Sequence, residues 1–340
     1  MHPKTSYKII FILLVTGLMA ALLVNISLGS VKIPLSDIGH ILLGQDASKK
    51  TWEHIIIHYR LPKAITAILV GFGLSISGLL MQTLFRNPLA GPFVLGISSG
   101  ASLGVALLVM GSSLIGFSFL NATVSLAIAA SLGSFLVLVA ILIAARNIRD
   151  TMAILIIGLM FGSITAAVVN ILSFFASMEK LQQYVFWSLG SLGDLSWTQV
   201  SLFALIILMG LLMAVFCIKG LNALLLGEQY AKSMGVAIKN IRLLVMLATS
   251  LLAGSITAFA GPIAFIGLAV PHITRLIFKS ADHRILIPAT ALVGAIIVLC
   301  CDSIAQLPGS ELTLPINAIT SIVGAPVVIW LLMRKRKIVL

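Results

Sequence analysis

The sequence predicts an all-α polytopic membrane protein of about ten transmembrane helices, and three observations predict it. Hydrophobic residues make up 60% of the 340, only 9% are Asp, Glu, Lys or Arg, and the mean hydropathy is +1.16. A soluble domain carries about a quarter charged residues to cover its surface, so a soluble enzyme is excluded. Apolar runs of spanning length recur along the whole chain, and the basic residues gather on alternate connections between them.

An apolar helix needs about 20 residues to cross the hydrocarbon layer. That ruler places spans at 9–28, 62–83, 93–112, 121–144, 152–172, 199–218, 242–260, 263–278, 285–305 and 316–333, in one permease domain over 1–340. The first run exceeds a signal-peptide core and lacks a small-x-small cleavage site, so it is expected to stay as a helix. A polar connection of mixed sign, Gly29–Leu61, leads to the second span. After that span the corner 85–92 holds Pro88 and Pro92, which restrict their neighbours and make it rigid.

Small residues recur along single faces: Gly73, Ser77 and Gly78 on the second span, Gly96, Gly100 and Gly104 on the third, Gly158 and Gly162 on the fifth. Such stripes let backbones approach where lipid gives helices no hydrophobic drive to associate. The connection Ser173–Thr198 contains an apolar piece, Leu181–Leu189, with Tyr184 and Trp187, and then Trp197. A short helix at the membrane interface fits it. The connection Lys219–Ile241 reads as a helix flanked by glycines, from Asn222 through Gly227 to Gly235, carrying Glu228, Tyr230 and Lys232. Two readings fit it: a surface that docks onto a cytoplasmic partner, and a solvated loop.

The eighth span is the shortest, with Pro271, His272 and Arg275 toward its end. The irregular stretch Gly261–His272 has the flavour of the 85–92 corner. Spans 2–5 and 7–10 therefore read as an internal repeat, and because the second and seventh enter from opposite sides the repeat is inverted.

With the N-terminus inside, 16 of the 22 Lys and Arg fall inside, among them Lys4, Arg86, Arg146, Arg149, Arg242, Arg275 and the tail Arg334–Lys337; three of the ten acids join them. Lys32, Lys49, Lys50, Arg60, Lys63 and Lys180 fall outside. The net charge of +12 thus sits on topology-setting loops, with no basic patch interleaved with aromatics to suggest nucleic acid. Cys217, Cys300 and Cys301 show no metal-ligand spacing and read as packing residues.

The polar residues at depth, Ser75, Ser77, Gln82, Asn170, Ser250, Ser255 and Thr257, are uncharged, and no charge sits at the middle of a span. An ion-coupled carrier often places a carboxylate there, and a channel needs a filter. Neither signature is present, so a secondary transporter stands only as an alternative. No Gly-x-x-x-x-Gly-Lys-Ser/Thr occurs, so any ATP hydrolysis belongs to another chain.

Five segments carry a resemblance: Arg60-Leu-Pro-Lys63; Gly78 through Gln82, Arg86, Asn87 and Pro88 to Pro92; Leu95–Ala101; Phe265 through Pro271 and His272 to Arg275; and Leu314–Pro326. Together and in this order, the chain resembles the FecCD/BtuC-type permeases of bacterial binding-protein-dependent ABC importers, which take up iron–siderophore complexes, haem and vitamin B12. The resemblance implies a BtuC-like fold in the cytoplasmic (inner) membrane with both termini inside. It implies two permease subunits, same or related, above two cytoplasmic ATPases and beneath an extracytoplasmic substrate-binding protein. No cofactor or metal is expected on this chain; ATP and Mg would bind the ATPase.

Residue by residue, the resemblance places ATPase coupling at Asn222, Leu226, Gly227, Glu228, Ala231 and Gly235. It places binding-protein docking at Arg60 and Lys63, although anchoring by snorkelling fits those two as well. Arg86, Asn87, Pro88, Pro271, His272 and Arg275 would be structural or gate residues near the inner side. Tyr184 and Trp187 would belong to an outer gate helix, and spans five and ten would wall the path. Glu53, His54, His58, Lys49 and Lys50 join the outer surface, where His54 and His58 share a helical face. The expected substrate is an iron–siderophore complex, with haem or cobalamin as the alternative.

Overall fold

The computed structural model describes residues 4–111, 122–145, 148, 151–307 and 312–333. Arg146, Arg149, the tail Arg334–Lys337 and the expected span ends at 112 and 121 lie outside the described residues, as does the side chain of Lys4. Among the described residues the structure is helical, in the order α1 (Lys4–Ser27), α2 (Leu35–Leu42), α3 (Lys50–Ile55), a π-turn (Ile56–Arg60), α4 (Leu61–Phe85), a 3-10 turn (Pro92–Leu95) and α5 (Ile97–Val109). There follow α6 (Ala122–Ala145), α7 (Thr151–Phe175), α8 (Met178–Ser188), α9 (Trp197–Leu225), α10 (Glu228–Ser233), α11 (Ile238–Ala260), α12 (Ile266–Phe278), α13 (His283–Ala305) and α14 (Ile316–Met333).

Every expected span meets an apolar helix. Seven stretches are long and apolar enough to cross a membrane, and three shorter apolar helices, α5, α12 and α14, occupy the third, eighth and tenth places. The shortening has a cause. Pro92 opens a 3-10 turn that ends at Gly96 in the left-handed region, so α5 starts only at Ile97. In the second half Phe265 takes φ 66°, and α12 starts at Ile266 rather than 263. Both of these helices are 13 residues long and each follows a long helix and an irregular corner. The order of elements therefore repeats between the halves.

Two boundaries move. The helix preceding Lys63 begins at Lys50, because α3 and the π-turn run straight into α4; the second half of the expected outer loop is thus helical. At the inner side α9 continues to Leu225, taking in Asn222, so the free helix between glycines is only the six residues of α10. The hydropathy ruler stops at Lys219, but Leu221, Ala223 and Leu224 beyond it are buried and keep the helix going.

The core is built around α4. Every residue from Gly73 to Phe85 is buried, against α1, α9, α11, α12 and α13. Close backbone approach makes this possible: a Cβ on Gly78 would stand 1.8 Å from the Gly267 carbonyl oxygen, and one on Gly104 would stand 2.0 Å from that of Ala129. Small residues supply packing area where apolar surface gains nothing by leaving lipid. Cys217 and Cys301 are buried, whereas Cys300 faces outward.

Candidate functional site

The inner end of α4 is a junction of four helices. Arg86 caps α4 with φ 47°, and its guanidinium donates to the Leu224 carbonyl at the end of α9. One turn back, Thr83 Oγ1 meets His283 Nε2 at 2.9 Å, reaching α13. Gln82 faces α12: its Nε2 donates to the Leu268 carbonyl at 3.2 Å, and its Oε1 accepts from Arg275 at 3.1 Å. His272 Nε2 donates to the Pro88 carbonyl at 2.8 Å, while Asn87 Oδ1 accepts from the Leu89 amide at 2.9 Å and rigidifies the corner. Pro271 lies buried inside α12 beside them. These partners lie 138 to 200 positions away in the chain for Arg86, Thr83, Gln82 and His272, so only folding brings them together.

Asn222 extends this network rather than pointing at α10. Its Nδ2 donates to Asp282 Oδ1 at 2.7 Å, and its Oδ1 accepts from the backbone N–H and from Nδ1 of His283, at 2.9 and 2.7 Å. It ties the end of α9 to the start of α13. Beyond the end of α9 comes α10 with its flanks. Gly227 has φ 113° and Gly235 φ 79°, conformations that suit glycine, and they set the sharp turns at either end. Ala231 is fully buried, while Leu226 and Tyr230 are 64% and 53% exposed. Glu228 pairs with Arg242 of α11 at 3.4 Å.

At the opposite end, the one carrying Arg60 and Lys63 and here called outer after the charge distribution, both basic residues are engaged. The Arg60 guanidinium donates to the carbonyls of Ile26 (2.8 Å), Ser27 (3.2 Å) and Val31, clasping the chain where it leaves α1. Lys63 Nζ stands 3.0 Å from Asp302 Oδ1, and Asp302 is 3% exposed against 21% for Lys63. Asn25 and Gln306 donate to the other oxygen of Asp302 at 2.8 and 2.9 Å. Asp302 carries no signal in the sequence beyond being an acid near the end of a span. Its four-residue spacing from Gln306 was the available clue.

Tyr184 and Trp187 lie on α8 with ring centroids 6.1 Å apart, and no residue of this helix is buried. Its C-terminal end is held by backbone: Ser191 N–H donates to the Ala260 carbonyl at 2.9 Å, and Asn317 N–H to that of Leu189 at 3.3 Å. The helix so rests where α11 and α14 begin or end. Elsewhere on this end, the His54 and His58 rings lie 4.6 Å apart. Asp37 is held below the ordinary carboxylate range by two hydrogen bonds from Ser48.

The bundle thus carries one short helix flanked by glycines at one end and a held surface helix at the other. The model of the FecCD transport family matches residues 17–334. The chain belongs to the FecCD transport family. It is 34% identical over 327 residues to the hemin transport system permease protein HmuU of Yersinia pestis, covering 95% of this chain and 96% of that one. To the vitamin B12 import system permease protein BtuC of Klebsiella pneumoniae it is 39% identical over 281 residues, 82% of each chain. Among solved structures, an inward-facing conformation assigned to the metal-chelate type of ABC transporter superposes with a TM-score of 0.83 at 28% identity, covering 96% and 99% of the two chains. The FecCD permease is thus a multi-pass, all-helical protein, as its apolar runs predicted, and a transport protein, as the resemblance implied.

Proposed function

We propose that this FecCD permease is the membrane subunit of a binding-protein-dependent ABC importer. It pairs with a second permease chain and takes its energy from two cytoplasmic ATPases that bind ATP and Mg. The carrying observation is α10. It is short, hinged by Gly227 and Gly235, exposed through Leu226 and Tyr230, and connected to the core through Arg86 and Glu228. A rigid lever of this kind passes a displacement at its surface to the helix ends it touches. Movement of Leu224–Glu228 reaches α4 through Arg86 and α11 through Arg242. From α4 the hydrogen bonds of Thr83 and Gln82 lead on to α13 and α12, with Pro88, Pro271, His272 and Arg275 holding the corner. Tyr184 and Trp187 on α8 form part of the outer gate.

The binding protein docks on the outer end, and electrostatics ranks the two basic residues there. Among the described residues Arg60 donates to neutral carbonyls and keeps its net charge, whereas Lys63 is neutralised by Asp302. Breaking a buried pair costs about 3–5 kcal/mol, and an exposed ion pair returns about 1 kcal/mol or less. A docking carboxylate is therefore drawn to Arg60 and leaves Lys63 with its internal partner.

The cargo is a large metal chelate, with an iron–siderophore complex as the first reading. The kinship with HmuU and BtuC favours haem or cobalamin equally. Purification in mild detergent, with every co-purifying chain quantified, tests the assembly: an ATPase at one copy per permease is expected, and repeated isolation without one would refute it. Uptake into vesicles loaded with ATP, compared for a ferric siderophore, haem and cobalamin, decides the cargo.

A further inference from the structure

Two cavities lie between α6, α9 and α11, and they meet at Phe259. The larger, 470 Å³, runs along Ser131–Leu138 of α6, Ile206–Met213 of α9 and Leu247–Phe259 of α11. The smaller, 240 Å³, caps it at the outer end, where Trp187, Phe186, Gln183, Asp194 and Gln199 surround it. The groove exists because α6 and α9 each pack on α11 and leave its surface uncovered between them. Both walls carry outward-facing apolar side chains, such as Leu132, Phe135 and Leu205.

The two compartments differ in chemistry. In the long one, the hydroxyls of Ser134, Ser250 and Ser255 all donate to backbone carbonyls of their own or a neighbouring helix, so they present no free donor. The outer compartment is the more polar of the two. Among the described residues Asp194 has no hydrogen-bond or ion-pair partner, and Lys63, whose aliphatic stem lies beside the adjacent Gly193, is committed to Asp302. Gln199 spends its Oε1 on Ser196 in a capping box, which leaves the amide N–H₂ as a donor. Asp194 lines the same cavity as the rings of Trp187 and Phe186; a carboxylate together with aromatic rings is a receptor for an organic cation, and an amide donor in the same cavity suits an anionic oxygen a few bonds away.

The dimensions match one leaflet. At 1.5 Å per residue, Ala127–Leu138 of α6 spans about 17 Å and Leu247–Ala260 of α11 about 20 Å. Half of a bilayer's hydrocarbon core is about 15 Å, which leaves a few ångströms for a headgroup.

We propose that this groove binds one phospholipid of the outer leaflet whose headgroup ends in a primary ammonium, as in phosphatidylethanolamine. The ammonium lies at Asp194 between Trp187 and Phe186, the phosphate meets the amides of Gln183 and Gln199, and one acyl chain fills the apolar compartment. A chain leaving bulk lipid gains little by transfer, so selectivity resides in the headgroup. Because Trp187 and Phe186 belong to α8, the bound lipid also buttresses the back of that helix.

The test uses the full permease, in its native complex, exchanged into an equimolar mixture of phosphatidylethanolamine and phosphatidylglycerol with identical chains, with retained lipid read by native mass spectrometry. The wild type is expected to retain one phosphatidylethanolamine per chain with a preference of about tenfold. Asp194→Asn should remove the preference without lowering the melting temperature. Ser131→Trp, at an exposed position on the groove wall, should reduce retention of both lipids. Equal retention of the two lipids by the wild type, or a preference unchanged in Asp194→Asn, overturns the assignment and marks the bound lipid as adventitious. Retention unaffected by Ser131→Trp, with fold verified by circular dichroism, overturns the groove as its seat.

Discussion

Removing one partner of the Lys63–Asp302 pair leaves the other charge in a site built for two. The two sides are unequal, since Asp302 is 3% exposed and Lys63 is 21% exposed. Lys63→Met strands a carboxylate held, among the described residues, by Asn25 and Gln306, and we expect a loss of about 3–5 kcal/mol. Asp302→Asn strands a cation that still reaches solvent, and the loss should lie near the lower end, about 3 kcal/mol. The double variant Lys63→Met with Asp302→Leu should recover most of the stability, because neither charge remains to be desolvated. Thermal or denaturant unfolding of the three proteins in detergent checks the order. A double variant as unstable as Lys63→Met would show that the pair does more than neutralise itself. Lys63 could be picked out from the sequence but its partner could not: Lys63 and Asp302 are 239 positions apart, and an acid inside a span end gives no hint of which helix it faces.

Elements divide into those that composition announces and those that packing decides. The apolar runs were legible because burial in lipid demands length and hydropathy and little else. The ends were less so. Pro92 and Phe265 shorten α5 and α12 through backbone geometry that hydropathy ignores, and buried residues past Lys219 lengthen α9. Asn222 illustrates the consequence for the candidate site: the resemblance assigns it to coupling, and the structure turns its amide to Asp282 and His283. On the proposed reading the coupling helix is α10, and its hinges give a prediction. Gly227→Ala asks a side chain to adopt φ 113°, a strain of about 1–3 kcal/mol, although the space is open, with Arg86 3.8 Å away. We expect the variant to insert and assemble but to lose most of the transport-coupled ATPase stimulation in reconstituted vesicles. Arg86→Ala should act alike by cutting the link to Leu224, while Lys239→Ala, an exposed residue outside both links, should leave coupling intact. Full stimulation in Gly227→Ala would remove α10 from the energy path.

At the scale of the whole molecule, the unequal distribution of basic residues predicts a direction. Moving a loop with several Lys or Arg across the membrane is disfavoured, so the end carrying Lys219, Lys232, Lys239 and Arg242 should stay in the cytoplasm, and the end carrying Arg60, Lys63 and α8 should face out. The structure sharpens this into a site-specific experiment because it shows which residues are reachable. Gln45 precedes α3 and is exposed; Ser233 ends α10 and is exposed. In a background where the outward-facing Cys300 is replaced by Ser, Gln45→Cys should react with a membrane-impermeant thiol reagent in intact cells, and Ser233→Cys should react only after the membrane is opened. The reverse pattern would invert the molecule, placing α10 outside, where no ATP-driven partner could reach it. That outcome would dismantle the importer reading and the outer-leaflet lipid site together. Labelling as expected, combined with loss of lipid preference in Asp194→Asn, would instead set the two ends to separate tasks: α10 receives the force, and the groove behind α8 steadies the gate against which the force acts.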